Sequence, residues 1–269
     1  MNWKKSFRSI YYDGAPEPAD LDLVWAETAL LIIDVQNTYL TRPDPSSLSV
    51  EERRRYDAWT PFHERMHKTV IPRTRALLDL FRRHGLERLF ARIACHTKDG
   101  RDRSLSQKMP GWNNLLLPKD EDSSQLAPEL APIGDEIVVT KTTDSALTGT
   151  NLRLILHNLG VKNVVCAGIF TDQCVSSTVR SLADESYNVI VVEDCCAAGS
   201  DELHRRELEI INMIYCHVVS SAELIAMMGL EHRTEKFVAA PEAAIQTSAQ
   251  AGEEGVKSGS SKVKQLQGS

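Results

Sequence analysis

The amino-acid sequence predicts an α/β protein whose main body is a single doubly wound domain around a parallel sheet. Six short apolar runs of strand length recur along the chain, at residues 29–35, 88–94, 136–140, 163–167, 188–192 and 216–219. Several are nearly continuous in Val, Ile and Leu, which is typical of strands buried on both faces. Amphipathic stretches separate these runs, and such alternation favours parallel strands joined by right-handed crossovers.

The amphipathic stretches predict helices with recognisable ends. Gly85 and Gly160 each follow an apolar helical pattern and are expected to end a helix. Pro72 is acceptable because it falls in a first turn, and Asp201 is expected to cap a later helix. The apolar residues with helical spacing lie in segments 71–81, 152–159, 175–182, 208–214 and 224–228.

Composition divides the 269 residues into three parts. Residues 1–25 are polar, contain Pro16 and Pro18, and predict an extended N-terminal arm. Residues 26–230 form the predicted domain. Residues 231–269 predict a disordered tail, because their later part is rich in Gly, Ser, Gln, Lys and Ala and shows no periodicity.

Charge and cysteine content restrict the class of protein. The formal net charge is −6 and no basic cluster stands out, so neither nucleic acid nor an anionic membrane is an expected partner. The first residues contain no apolar stretch of signal-peptide type, and no apolar run reaches the roughly 20 residues of a membrane span. The six cysteines form no metal-type CxxC pair. We therefore expect a cytoplasmic protein with reduced thiols.

Reactive side chains follow four of the predicted strands. Asp34 ends the first, His96 follows the second, Lys141 ends the third, and Cys174 follows the fourth after a short turn. In doubly wound sheets the carboxyl ends of the strands meet at one edge, where ligands bind. An acid, an amine and a thiol are therefore expected to converge there.

These three groups make chemical sense as a unit. Cys174 is expected to open a helix, whose positive end favours the thiolate. Asp34 would take the thiol proton while Lys141 holds both anions, and the sulfur would attack a carbonyl carbon. Backbone N–H groups of Cys174 and of the preceding turn would stabilise the oxyanion. Each residue also has an ordinary explanation: a packed cysteine, a turn aspartate or a solvated lysine.

Three segments resemble the isochorismatase-like cysteine hydrolases, a family that includes nicotinamidase, N-carbamoylsarcosine amidohydrolase, biuret hydrolase and ureidoacrylate amidohydrolase. They are ALLIIDVQNTY at 29–39, VVTKTTDSALTGTNL at 138–152, and VVCAGIFTDQCVSSTVRSLADESYNVIVVEDCCAA at 164–198. The resemblance extends over about residues 28–230. Its most specific part is the pattern G-x-x-T-x-x-C-V-x-x-T-x-R-x-A.

The resemblance implies a six-stranded parallel sheet in three layers and a catalytic triad of Asp34, Lys141 and Cys174. It also implies a cis peptide between Ile169 and Phe170, which would direct the N–H groups of Phe170 and Cys174 at the oxyanion. Family members that cleave the vinyl ether of isochorismate lack the cysteine. The presence of Cys174 therefore favours cleavage of an amide or ureide.

A metal site is not expected, although one pattern raises the question. His63 and His67 are four residues apart and would share one helix face, as two zinc ligands could. No Asp-x-His sequence of the metal-dependent nicotinamidases accompanies them, and the surrounding charges indicate a solvated helix. We predict no metal and no cofactor, with a metal-dependent nicotinamidase as the alternative.

Aromatic residues near the strand ends are candidates for substrate contacts. Tyr39, Trp112 and Phe170 are expected to line the site, and His96 matches a histidine that relatives have near the pocket mouth. Trp112 could instead pack a long loop, and His96 could be a surface histidine.

The sequence thus predicts a cysteine-dependent hydrolase, acting as a homodimer or homotetramer. It would cleave a C–N bond of a small ureide, carbamoyl compound or carboxamide through a thioester. A catalytically silent binding scaffold of the same fold is the alternative from another class.

Overall fold

The chain's computed structural model describes residues 2–111 and 116–229. Its centre is one sheet of six parallel strands, β1 (Thr28–Ile33), β2 (Glu87–Ile93), β3 (Ile137–Lys141), β4 (Asn163–Ile169), β5 (Asn188–Ala197) and β6 (His217–Val219). Their order across the sheet is β3-β2-β1-β4-β5-β6, and every neighbouring pair is parallel. Each predicted apolar run overlaps one strand. The predicted α/β class and six-stranded parallel sheet are therefore confirmed.

Helices connect and flank these strands. In the described part of the chain they are α1 (Asn37–Leu40), α2 (Val50–Ala58), α3 (Thr60–Arg65), α4 (Ile71–Arg83), α5 (Leu152–Asn158), α6 (Ser176–Asp184), α7 (Asp201–Ile211) and α8 (Ser221–Met228). Single π-helical turns at Met66–Val70 and Thr171–Val175 precede α4 and α6. None of the helices within the described ranges has both the length and the apolar character needed to cross a bilayer.

The sheet separates two apolar cores. Side chains of β1 alternate between them: Leu30 and Ile32 pack on one face, Leu31 and Ile33 on the other, and all four are fully buried. Helices α4 and α8 cover the first face, while α5, α6 and α7 cover the second. Burying each such aliphatic side chain contributes roughly 1.5–3 kcal/mol, which explains why the strands read as continuous apolar runs.

The strand order places a crevice at the carboxyl ends of β1 and β4. The chain winds outward from β1 through β2 to β3, then returns to the other side of β1 and winds outward again through β5 and β6. The order therefore reverses between β1 and β4. Such a reversal leaves a gap between the crossing connections, which is the usual ligand site of doubly wound sheets.

Gly168 allows β1 and β4 to stay close at this crevice. It pairs with Ile33 in register and has φ of 121°, a conformation that residues with a side chain rarely adopt. A Cβ atom at Gly168 would stand 2.0 Å from the Ile33 carbonyl oxygen. Any larger residue would push apart the two strand ends.

One predicted helix cap is wrong. Asp201 is the first residue of α7, and Ser200 is the cap: its side chain accepts a hydrogen bond from the Leu203 N–H at 3.2 Å. Both residue types favour this position, so the sequence did not separate them. Ser200 takes the role because its backbone is extended, with φ of −146°.

The first residues of the chain contact the sheet domain. Trp3 is buried, and its N–H donates to the Glu223 carboxylate of α8 at 2.9 Å. The Asn212 side chain donates to the Phe7 carbonyl oxygen at 3.0 Å. The boundary predicted at residue 25 and the division into arm, domain and tail stay predictions, and the predicted tail, 231–269, lies outside the described residues.

Candidate active site

Three strand ends bring three chemically different side chains into contact. Asp34 directly follows β1, Lys141 is the last residue of β3, and Cys174 lies in the turn after β4. Lys141 Nζ is 2.6 Å from Asp34 Oδ2 and 3.3 Å from Cys174 Sγ. All three residues are buried, with exposed fractions of 1% for Asp34, 1% for Lys141 and 6% for Cys174. The structure therefore assembles the three residues that the sequence singled out.

The backbone fixes two of these groups. Asp34 has φ of 54°, which an aspartate tolerates better than most residues, and its N–H donates to the Ala91 carbonyl oxygen at 2.9 Å. Lys141 pairs with Ile93 in the sheet and donates to the Thr143 carbonyl oxygen at 3.1 Å as well as to Asp34 and Cys174. An ammonium group has three N–H donors, so all three are used.

Burial and charge act together on the protonation of this cluster. Burial raises the pKa of Asp34 although Lys141 opposes it, and burial followed by the Asp34 charge raises the pKa of Cys174 well above its usual range. Burial disfavours the charge on Lys141, but the charges of Asp34 and Cys174 outweigh it and raise its pKa. A cationic Lys141 with one proton shared between the carboxyl and the thiol leaves the cluster neutral. That state avoids an uncompensated buried charge.

The turn after β4 differs in one detail from the prediction. The Ile169–Phe170 peptide is cis, as the resemblance implied. Cys174 does not open the α-helix; it lies inside the π-helical turn Thr171–Val175, where the Val175 N–H donates to the Phe170 carbonyl oxygen at 3.2 Å. This turn continues directly into α6 at Ser176. Cys174 is thus still in the first turn of a continuous helical segment.

A buried histidine of α7, His204, is hydrogen-bonded to the first residue of this turn. Thr171 Oγ1 is 2.7 Å from His204 Nδ1, and Arg65 Nη2 is 2.8 Å from His204 Nε2. Because a guanidinium can only donate, Nε2 accepts from Arg65 and the ring proton is on Nδ1, which donates to Thr171. Arg65 also donates to the Cys196 carbonyl oxygen at 3.0 Å. The ends of β4 and β5 are therefore joined through Arg65 and His204.

A cavity of about 400 Å³ opens over Cys174 and Asp34. One wall is aromatic: Tyr39 and Phe62 contact Phe170 with ring centroids 5.4 Å and 5.1 Å away, and Trp59 lies beside them. Another part of the cavity lining is polar. Its side chains come from the loop after β2 and the segment after β3, namely Arg103, Gln107 and Asp144.

The structure brings some of the predicted substrate contacts to this cavity. Tyr39 and Phe170 line it. His96 is exposed on the loop after β2 and is not among the lining residues; its N–H donates to Asp102 at 2.8 Å. Trp112 lies outside the described residues. The catalytic and binding roles of all these residues remain predictions.

Sequence reasoning missed the polar wall. Gln107 Nε2 donates to Asp144 Oδ1 at 2.7 Å, and Arg103 Nη2 donates to Gln107 Oε1 at 2.8 Å. Asp144 follows Lys141 by three residues, so its place just beyond a strand end was a signal that could have found it. Arg103 and Gln107 belong to a loop without periodicity, and only the tertiary structure brings them here.

His63 also lines the cavity. Burial, with the charges of Arg42 and His67, lowers its pKa to about 4, so the imidazole is neutral at pH 7. His63 belongs to α3, whereas His67 belongs to the π turn that follows. Within residues 2–111 and 116–229, no three His, Cys, Asp or Glu side chains group together as metal ligands would.

Fold and site together define a doubly wound protein with an all-parallel sheet and a buried cysteine at the strand-end crevice. The family model of the isochorismatase domain matches residues 28–223, and the chain belongs to that family. The predicted family and the predicted class, a hydrolase, are confirmed by this membership.

Individual relatives share about a quarter of their residues with the chain. It is 27% identical over 201 residues to the ureidoacrylate amidohydrolase RutB of Acinetobacter baylyi, a match that covers 71% of the chain and 80% of that protein. It is 27% identical over 184 residues to a probable inactive nicotinamidase of Arabidopsis thaliana, covering 67% of the chain and 85% of that protein. Among solved structures, an isochorismatase family protein from Burkholderia thailandensis is 26% identical with a TM-score of 0.61, covering 78% of the chain and 98% of that structure.

Proposed function

We propose that the chain is a cysteine-dependent amidohydrolase that cleaves a C–N bond of a small ureide, carbamoyl compound or carboxamide. The observation that carries this proposal is the position of Lys141 Nζ, 2.6 Å from a carboxylate oxygen and 3.3 Å from a sulfur. The sulfur faces a cavity of about 400 Å³, large enough for a small amide. The family and its amidohydrolase member RutB support the same chemistry.

The first half of the reaction forms a thioester. Asp34 takes the proton of Cys174 as the sulfur attacks the carbonyl carbon, while the cation of Lys141 compensates the negative charge that moves between them. The carbonyl oxygen becomes an oxyanion, for which the N–H groups of Phe170 and Cys174 are the proposed donors. Asp34 then gives its proton to the nitrogen as the C–N bond breaks, and ammonia or an amine leaves.

The second half releases the acid. Water loses a proton to Asp34 and adds to the thioester carbon. The C–S bond breaks, the sulfur recovers the proton through Asp34, and the site returns to its starting state. Because Asp34 is buried and its pKa is raised, it accepts and returns a proton more readily than an exposed aspartate would.

The test is hydrolysis of a panel of ureas, carbamoyl amino acids and aliphatic and aromatic amides, followed by ammonia release. At least one compound is expected to be hydrolysed by the wild type and not by the Cys174→Ala variant. Intact-protein mass spectrometry after rapid acid quenching is expected to show an acyl adduct on Cys174. Activity that survives Cys174→Ala would rule out the proposal.

Two further experiments separate this proposal from the alternatives. A metal-dependent nicotinamidase would lose its activity after dialysis against a chelator, whereas the proposed enzyme keeps it. A silent scaffold would hydrolyse nothing, and its Cys174 would react with iodoacetamide no faster in the wild type than in Asp34→Asn.

We also propose that the protein is a cytoplasmic homodimer or homotetramer. All six cysteines are unpaired, as expected in a reducing compartment. Leu203 and Ile210 of α7, with Ile214 just beyond it, expose 47%, 56% and 58% of their surface. Exposed aliphatic residues on one helix suit a contact between copies. Light scattering that gives a monomer mass would refute the assembly.

A further inference from the structure

A second carboxylate lies beside the sulfur, and the reaction proposed above does not use it. Asp144 Oδ1 is 3.7 Å from Cys174 Sγ, and Asp144 lines the cavity. Lys141 at the end of β3 and Asp34 just beyond β1 both interact with the sulfur, whereas Asp144 belongs to the segment after β3. The sulfur therefore has two carboxylates near it, of which one suffices to move the thiol proton.

Asp144 is held rigidly. Gln107 Nε2 donates to its Oδ1 at 2.7 Å, and Arg103 in turn fixes Gln107 at 2.8 Å. Gln107 and Arg103 are each only 6% exposed. Within the described ranges, the hydrogen bonds that Asp144 accepts, from Gln107 and from the Cys174 thiol, are both made to Oδ1. A side chain held on one oxygen and open on the other is suited to bind a donor that enters the cavity.

The backbone on both sides of Asp144 is fixed as well. The Thr143 carbonyl oxygen accepts from Lys141 Nζ at 3.1 Å, and the Ala146 N–H donates to Thr178 Oγ1 of α6 at 3.0 Å. Asp144 is therefore positioned relative to Lys141 and to the helix that follows Cys174. Its distance from the sulfur does not depend on a loose loop.

The geometry of the attacked carbonyl group indicates which part of the substrate Asp144 could contact. The carbonyl carbon has three substituents: the oxygen, the nitrogen that leaves, and a retained group. The retained group stays bonded to the carbon when that carbon becomes attached to the sulfur. The first goes to the proposed backbone donors and the second receives its proton from Asp34. A reacting carbon stands about 3 to 3.5 Å from the sulfur before attack, so the retained group comes within reach of the Asp144 carboxylate, whose Oδ1 is 3.7 Å from that sulfur.

We propose that Asp144 is a specificity residue that accepts a hydrogen bond from an N–H on the retained side of the carbonyl, so that the substrate is a ureide or carbamoyl compound. This inference rests on the proposed function and narrows its substrate class. In a carbamoyl compound the retained group is –NH2, which gives Asp144 a donor. In a simple carboxamide the retained group is carbon, and the substrate would cover Asp144 Oδ2 without giving it a donor, which is costly.

The step balances without any further reactant. The sulfur electron pair forms the C–S bond while the C–N bond to the leaving nitrogen breaks, and that nitrogen takes the proton from Asp34. The retained –NH2 stays on a carbamoyl thioester, hydrogen-bonded to Asp144. Water releases carbamic acid, which decomposes to ammonia and carbon dioxide.

The test uses pairs of compounds that differ only in the retained group. The N-carbamoyl and N-acetyl derivatives of glycine, β-alanine and 4-nitroaniline replace –NH2 by –CH3 at nearly constant size. Wild type is expected to favour the carbamoyl member by about 100-fold in kcat/KM. Asp144→Ala is expected to reduce that preference to about threefold or less. Asp144→Asn should be slower than Asp144→Ala on carbamoyl compounds, because Gln107 fixes the amide oxygen and turns the amide –NH2 toward the substrate –NH2.

Because the result is a ratio of kcat/KM values for two paired substrates, a general effect of a variant on the nucleophile cancels. Asp99→Asn is the matched control, since its side chain is 60% exposed and outside the cavity lining; it should keep the wild-type ratio. Thermal unfolding of each variant checks the fold. Equal turnover of the paired compounds by wild type, or an equal loss on both in the Asp144 variants, would overturn the role of Asp144 alone. If no pair is hydrolysed and Cys174 gains no adduct, the proposed function falls with it.

Discussion

Two neighbouring strands, β4 and β5, both lead to cysteines at the carboxyl edge of the sheet, but the surroundings of these cysteines differ. Cys174 lies in the turn beyond β4, contacts a cation and a carboxylate, and faces a cavity. Cys195 and Cys196 lie inside β5, and each packs into one of the two apolar cores. Burial raises the pKa of both strand cysteines well above its usual range.

The difference shows why position at the sheet edge is not enough to make a thiol reactive. Side chains within a strand alternate between the two faces, so a cysteine there is covered by helices. A residue in the turn beyond the strand is free of that alternation and reaches the crevice. Burial disfavours the thiolate at either place. At Cys174 the charge of Lys141 opposes this effect, and Asp34 lies close enough to take the thiol proton.

The largest expected effect tests this contrast directly. Cys174→Ala should reduce hydrolysis by about 10⁴-fold or more, because the covalent step is lost. Cys196→Ala removes a buried sulfur of the same edge and should change kcat/KM by less than about threefold, with a modest loss of stability. Ammonia release by the two purified variants measures the difference. Comparable losses in both would contradict the assignment of the nucleophile.

Removing the Lys141 cation should leave Cys174 as unreactive as the buried cysteines of β5. Lys141→Met leaves Asp34 buried without its partner, which is expected to lower activity about 10³-fold and the free energy of unfolding by about 3 kcal/mol. Urea unfolding gives the second value. Lys162→Met is the matched control: its exposed ion pair with Glu27 contributes at most about 1 kcal/mol. Equal losses in the two variants would show that the buried position has no special role.

The close approach of β4 to β1 should make the free energy of unfolding sensitive to a single added carbon atom at Gly168. Gly168→Ala places a Cβ 2.0 Å from the Ile33 carbonyl oxygen and should lower the free energy of unfolding by roughly 3 kcal/mol or more. Gly160→Ala has a similarly unfavourable φ of 68° but nothing within 4 Å, so its loss should be about 1–2 kcal/mol. Thermal unfolding compares them, and a Gly168 variant as stable as the Gly160 variant would refute the packing argument.

The smallest effect concerns the connection between the two strand ends. Burial and then Arg65 lower the pKa of His204, although Glu193 opposes this, so the folded protein holds the ring neutral. The unfolded chain binds a proton at this histidine more readily than the folded protein does below about pH 6.5. His204 should therefore lower the free energy of unfolding as the pH falls below that value, together with His63 and His217, whose pKa values burial also lowers.

His204→Gln should reduce this pH dependence. It should lower kcat by less than about tenfold, because His204 supports Cys174 only through Thr171. Urea unfolding between pH 7.5 and 5 measures the slope. An unchanged slope in His204→Gln would show that this histidine does not couple folding to pH.

The sequence was a good guide where the physical signal is local. Every strand was found because a strand covered on both faces needs a continuous apolar run, and Gly85 and Gly160 follow the helices that they were expected to end. It was a poorer guide to boundaries. β5 continues to Ala197 through the polar residues Glu193 and Asp194, because a shift in register after Cys166 keeps it paired with β4.

By itself the sequence determined the order of strands and helices, the family, and the three reactive residues that lie at or just beyond the ends of β1, β3 and β4. These are properties of short segments, and each segment carries its own pattern of apolar and polar residues. Only the tertiary structure decided that Lys141 touches both Asp34 and Cys174, and that Arg103 and Gln107 hold Asp144 beside the sulfur. Such contacts join loops that are distant in sequence, and their distances follow from the packing of the whole sheet.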